Sequence, residues 1–293
     1  MKPAAVALVV LAVVTLPFVA GPYLIRLASF AFLYSVLALS WNFVGGMAGY
    51  PSFATAAFFG LGAYAGAIAQ TRDVPMPVAW LAAAAVAAAF AAGLGRAILH
   101  LRGHYFAIAS LVVGEVLREI ANTAIGLTGG GMGLNLPILR LDVVAQGRLF
   151  YGALAGLAAL ALGATYLVDR HRLGVGLRAI QQNEDAAAMV GVDTTLYKTL
   201  AFVLSAVFVG STGAVYASWV NYIEPADVFD VLLAVKPIIM VLLGGIGTRM
   251  GPLVGAVVFL ALEELVWRNF LTIHAGLLGL IVVVLIFFLP RGL

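Results

Sequence analysis

The chain has 293 residues, of which 63% are apolar and only 10% charged, against about 25% charged in an ordinary soluble domain. With a mean hydropathy of +1.09, the polar groups cannot cover a folded surface in water, so the composition excludes a soluble globular protein and points to lipid as solvent. Sixteen Lys and Arg against thirteen Asp and Glu leave a charge of +3 with no basic tract. That excludes a nucleic-acid footprint, and the absence of cysteine excludes disulfide frameworks and thiolate metal sites.

The N-terminal run after Lys2 reads as a retained span rather than a cleaved leader, because Phe18 stands where cleavage after Ala20 would need a small residue. A spanning helix needs about 20 mostly apolar residues. Ten stretches qualify, at about 4–20, 27–44, 52–70, 76–95, 104–122, 149–168, 199–219, 231–247, 252–267 and 273–289. Gly45, Gly46, Gly49 and Pro51 separate the second and third, and Gly247 to Gly251 with Pro252 separate the eighth and ninth. Either pair is a candidate for broken or re-entrant helices, so the fold class is an all-α polytopic membrane bundle of eight to ten spans, forming one transmembrane domain over 1–293.

With Lys2 inside and ten alternating spans, the cytoplasmic side collects Lys2, Arg96, Arg102, Arg170, Arg172, Arg178, Lys198, Arg249 and Arg291, and the outer side Arg26, Arg72, Arg140, Arg148 and Arg268. The excess of positive charge predicts that both termini are cytoplasmic. Small residues four apart, at Gly45 with Gly49, Gly62 with Gly66, Gly152 with Gly156, and Gly247 with Gly251 and Gly255, predict close helix packing.

The longest polar stretch, residues 169–198, predicts a cytoplasmic loop with a helix from Leu177 to Val190 ended by Gly191. It is either a solvated connector or a docking element, in which Ala186, Ala187, Ala188 and Met189 form a flat patch and Arg178, Glu184 and Asp185 orient a partner. The glycine-rich TGGGMGLNLP at Thr128–Pro137 is either a flexible connector or a loop exposing backbone donors and acceptors.

Ionisable residues inside spans are costly and invite a functional reading. Glu115, Arg118 and Glu119 share a helix face, which favours an internal structural salt-bridge cluster over a contact with solute. Lys236, before Pro237, either snorkels to the surface or lines a path. Glu263 and Glu264, followed by Trp267 and Arg268, read as an interfacial anchor. His100, His104, His171 and His274 lack partners at metal spacing, so no metal site is predicted. None of Lys2, Lys198 and Lys236 follows a glycine, so the chain has no Walker A loop; any ATP-driven transport needs a separate engine.

Several separated motifs, in order, carry a resemblance. They are GMAGYPSFATAAFFGLGAY at 46–64, HYFAIASL at 104–111, TGGGMG at 128–133, GLRAIQQNEDAAAMVGVD at 176–193 running into YKTLAFVLSAVFVGSTGAVYA, GGIGTRMGPLVG at 244–255 and the terminal PRGL. From about residue 36 onward the chain resembles the membrane permeases of branched-chain amino acid ABC importers, of the LivM type. The resemblance implies a non-enzymatic subunit of a bacterial inner-membrane importer, with no cofactor of its own and with ATP and Mg held by partner subunits. The implied partners are a second homologous permease, two ABC ATPases, a periplasmic solute-binding protein and the lipid membrane. It further implies that 169–198 couples to the ATPase through Arg178, Glu184, Asp185, Ala186, Ala187 and Gly191.

The expected translocation pathway uses the glycine-rich breaks, with Asn42, Gly46, Gly49, Ser52, Tyr64, Lys236, Gly244 and Gly245, because irregular backbone at membrane depth survives only where buried or facing a cavity. The chain departs from the family pattern at Tyr50, Pro51, Ala54 and Thr55 and at Gln181, where the family often has Arg. The first four leave the solute open within the family, and Gln181 implies one weaker polar contact with the ATPase. The alternative to an importer subunit is an ion-coupled secondary transporter or channel, with Glu115, Arg118, Glu119 and Lys236 as relay.

Overall fold

The computed structural model describes residues 3–269 and Gly279. Nine long helices match the first nine predicted spans: α1 (Pro3–Val19), α2 (Pro22–Trp41), α3 (Thr55–Gln70), α4 (Met76–Ile98), α5 (His104–Thr123), α7 (Val143–Arg170), α10 (Thr194–Val220), α12 (Val231–Gly244) and α13 (Gly251–Asn269). Between them lie four short helices, α6 (Ile125–Thr128), α8 (Arg172–Gln182), α9 (Glu184–Met189) and α11 (Pro225–Val228). The tenth predicted span, at 273–289, lies outside the described residues.

Among the described residues, four helices are long and apolar enough to cross a membrane unaided: α2 with its extension to Met47, α4, α7 and α10. The others are shorter or carry charge. At 1.5 Å per residue the 14 residues of α12 reach only about 21 Å, short of a full crossing. Short α3 and α12 flank the two glycine-rich breaks, as the sequence predicts.

Helix ends fall where side chains satisfy the orphan backbone N–H groups. Asp193 accepts from Leu196 N at 2.9 Å and Asp230 from Leu232 N at 2.9 Å. Helix α7 starts six residues before its predicted span because Asp142 caps it and its first turns, with Gln146 and Arg148, are polar. Arg148 Nε donates to Pro17 O at 2.8 Å. Pro17 interrupts α1 and, lacking an N–H, frees the carbonyl four residues before it. Tyr151 Oη donates to that carbonyl, Val13 O, at 2.7 Å.

The core is a seam of small residues. Helix α10 packs mainly on α3 and α4, and a Cβ at Gly62 would stand 2.1 Å from Gly210 O, one at Gly213 2.1 Å from Phe59 O, and one at Gly210 2.5 Å from the Ala87 Cβ. Along α4, Ala79, Ala83, Ala87 and Ala91 are all fully buried, a stripe at four-residue spacing facing α10. A Cβ at Gly255 would similarly stand 1.8 Å from Met240 O, so α12 and α13 are in close contact there. The predicted pairing at Gly152 and Gly156 is not seen among the described residues, since a Cβ at either would meet nothing within 4 Å there; Gly45 lies against the Trp41 ring and Gly49 against Gln181.

At the end of the bundle opposite α8 and α9, β1 (Leu134–Asn135) pairs antiparallel with β2 (Tyr222–Ile223). The predicted glycine loop thus closes against the end of α10. Thr128 Oγ1 donates to Ala121 O at 2.6 Å and Gly129, Gly130 and Gly133 have positive φ, which makes this loop a built turn.

Candidate functional site

The polar loop after α7 folds as two helices where one was predicted. Asn183 adopts φ −161° and ψ 112°, which ends α8, and its side chain accepts from Ala186 N at 3.0 Å to cap α9. Glu184 and Asp185 then occupy the first turn of α9, where carboxylates oppose the positive end of the helix dipole. Gly191 follows with φ +89°, the cap conformation predicted for it. Ala186, Ala188, Met189 and Val190 are exposed, whereas Ala187 is 3% exposed. Ala187 therefore belongs to the contact between α9 and the bundle and not to the outward patch expected of it.

Glu184 also turns inward. Lys198 Nζ donates to Glu184 Oε1 at 2.6 Å, to Leu99 O at 2.8 Å and to Tyr50 Oη at 3.1 Å, and Tyr50 Oη donates to Glu184 Oε2. Arg102 adds a guanidinium Nε 3.6 Å from Glu184 and a two-pronged bond to Asp185 at 2.7 and 3.1 Å. The Lys198 ammonium, 4% exposed, is thus buried with its charge answered. Burial opposes the Glu184 charge, but the bonds from Lys198 and Tyr50 and the charges of Lys198 and Arg102 outweigh it and hold its pKa below the usual value. Arg102 lowers that of Asp185, and burial followed by the Glu184 bond raises that of Tyr50. Lys198, Tyr50, Arg102 and Leu99 come from three further segments, and sequence reasoning did not connect them to α9.

Helix α8 ties into both glycine-rich breaks. Beyond α2 the backbone widens into a π-helical turn at Asn42–Met47, a form frequent at functional sites. Gln181 Nε2 donates to Gly46 O at 2.9 Å. Arg178 and Arg249 both pair with Asp169, whose side chain is 1% exposed, so α8 also holds the link between α12 and α13. Asn42, fully buried, joins the two breaks: its Nδ2 donates to Thr248 O at 3.0 Å and its Oδ1 accepts from Gly247 N at 2.9 Å.

The residues expected to line a pathway are mostly packed away within this chain. Asn42, Ser52 and Tyr64 are at most 5% exposed, Gly46, Gly244 and Gly245 are buried and Gly49 is exposed. Tyr64 Oη has no hydrogen-bond partner among the described residues. Lys236 bonds Glu263 at 2.7 Å and Tyr34 Oη at 2.9 Å, so its charge is answered within this chain. Glu264 accepts from Tyr23 Oη, so Glu263 and Glu264 each also join two helices. A cavity of about 650 Å³ between the ends of α2, α7 and α10, and an apolar one of about 500 Å³ between α1, α2 and α13, include none of the expected residues.

The charged triad of α5 is not internal. Glu115 and Arg118 lie 3.4 Å apart with side chains 47% and 39% exposed, and Glu119 is also exposed. The expected internal cluster is overturned because the buried stripe of α5 is Phe106, Ser110, Gly114 and Ala121, which turns the triad outward. Among the described residues no group of three or more His, Asp or Glu could hold a metal ion.

A family described as the branched-chain amino acid transport system permease component matches residues 23–289. The chain is 28% identical to the high-affinity branched-chain amino acid transport system permease protein LivM of Escherichia coli (strain K12), over 98% of this chain and 73% of that protein. It is 27% identical to LivM of Salmonella typhimurium over the same shares, 98% and 73%. A permease protein LivH of Salmonella typhimurium is 22% identical over 79% of this chain and 81% of its own. No solved structure matches.

Proposed function

The chain belongs to the family of branched-chain amino acid transport permease components, and from that membership we propose that it is one of two related permease subunits in an ATP-driven importer of branched-chain amino acids. In this reading a periplasmic binding protein delivers the solute at the β1–β2 end. Two ATPase subunits dock at the other end, which is cytoplasmic, against the 169–198 loop. The observation that carries the reading is the Glu184 node. A short helix with an uncovered face of Ala186, Ala188, Met189 and Val190 is anchored through one carboxylate to Tyr50 and Lys198, beside the first glycine break.

A push on that face is delivered to the spans directly through Glu184, and across the Asn183 junction through Gln181 and the Arg178–Asp169–Arg249 cluster. Coupling of this kind needs contacts that differ between two states of the bundle. ATP binding at the partner supplies that difference, and this chain's residues transmit it.

Purification of the tagged chain from its native membrane in mild detergent tests the proposal. A second permease and P-loop ATPases are expected to co-purify, with ATP hydrolysis stimulated by loaded binding protein. Recovery of the chain alone, active for uptake in ATP-free vesicles under an ion gradient, would instead establish the ion-coupled alternative.

A further inference from the structure

Helix α5 has an outward face that lipid cannot cover. Ile108, Val112, Val116 and Ile120 are 50–59% exposed, and Glu115, Arg118 and Glu119 stand among them. Glu115 lies about 17 Å along the helix from His104 at 1.5 Å per residue, near the middle of a hydrocarbon layer of about 30 Å. Ionised side chains at that depth are rare and face a bundle interior or water. Among the described residues they do not neutralise one another fully, because the Glu115–Arg118 contact is 3.4 Å long and the Glu119 carboxylate reaches only Asn122, at 3.4 Å. Part of their hydrogen-bonding capacity is directed away from this chain.

The face carries both signs of charge on an otherwise aliphatic surface, so it is complementary to a related surface and to a zwitterion. The chain matches permeases of two kinds, LivM and LivH, so the partner permease of the proposed importer is itself a relative of this chain.

We propose that the Glu115–Arg118–Glu119 stripe of α5 is this chain's wall of the translocation path, closed on its far side by the second permease subunit. There Glu115 and Glu119 meet the ammonium of an amino acid, Arg118 meets its carboxylate, and Val112 and Val116 meet its branched side chain. The inference rests on the importer reading. It places the solute path on the outer surface of this chain, away from the buried glycine-rich breaks.

The chain has no cysteine, so single thiols report directly in the assembled complex in membrane vesicles. Glu115→Cys and Val112→Cys, the second of which keeps all three charges, are compared with Leu160→Cys on the outward face of α7, 64% exposed. The probe is a membrane-impermeant cationic methanethiosulfonate. Both α5 thiols are expected to react at least tenfold faster than the control. Excess leucine is expected to slow them, and a bifunctional thiol reagent to join position 115 to the second permease. Labelling no faster than at Leu160→Cys, or fast labelling that no branched-chain amino acid slows, overturns the proposal. Slow labelling in a complex that still hydrolyses ATP on demand removes the wall alone, whereas fast, leucine-protected labelling in a chain that brings down no ATPase keeps the wall and removes the importer reading.

Discussion

Replacing Glu184 with Ala is expected to abolish ATP-coupled uptake and to destabilise the chain by about 3–5 kcal/mol, the usual cost of stripping a buried charge of its partner. The amine left behind is that of Lys198, 4% exposed and, among the described residues, otherwise bonded to Leu99 O and Tyr50 Oη. Beside the Ala187 contact, helix α9 then keeps the exposed Arg102–Asp185 pair, and exposed pairs contribute at most about 1 kcal/mol. The measurements are thermal unfolding in detergent and ATPase stimulation in the complex. Lys198→Met, which fills the space without a charge, is expected to cost less, and Glu184→Gln with Lys198→Met to regain part of the stability lost in Glu184→Ala. Full coupling in the Glu184→Ala protein would show that α9 transmits nothing.

The sign of the pH dependence follows from the same node. Glu184 has a folded pKa below the usual one, so its stabilisation is fully present above the ordinary value of about 4.3. It is lost as pH falls through the lower folded value. Unfolding temperature measured from pH 8 down to pH 5 is therefore expected to show no loss attributable to this residue in the wild type.

Gly62→Leu is expected to prevent α3 from seating on α10. The new Cβ would stand 2.1 Å from Gly210 O and 2.4 Å from its Cα, backbone against backbone, with no rotamer able to relieve it. Overpacking a core typically costs about 1–3 kcal/mol when side chains can shift, and here helices must separate, so the loss is expected to exceed that range and to remove monodisperse protein from detergent extracts. Gly152→Leu, whose Cβ meets nothing within 4 Å among the described residues, is the matched control and should leave yield and unfolding temperature unchanged. Equal behaviour of the two variants would refute the small-residue seam.

That contrast shows what the sequence carries and what it does not. Gly62–Gly66 and Gly152–Gly156 have the same spacing, yet the first meets Gly210 and Ala214 and the second meets nothing among the described residues; spacing fixes a helix face but not its neighbour. The span positions were legible because apolar length is a local property, and the breaks because glycine and proline interrupt it. The division of α8 from α9 had a readable signal in Asn183 followed by Glu184 and Asp185, a capping residue before an acidic first turn, although composition favoured one helix. The outward turn of Glu115 depends on which side of α5 meets α3, which no periodicity decides. Lys198, Tyr50 and Arg102 converge on Glu184 only after four segments have packed, so their partnership has no trace in local pattern. The two-residue pairing of β1 with β2 is likewise too short to register as alternation.

Asn42 answers Gly247 N and Thr248 O with the two ends of one amide, and this constrains how the bundle moves. A glycine-rich break is commonly read as a hinge. Here a side chain of the first break holds the backbone of the second, so bending at one would pull on both. The two behave as a single rivet, and the compliance needed for transport must sit elsewhere, at Pro237 within α12 and at the extended Asn183 between α8 and α9.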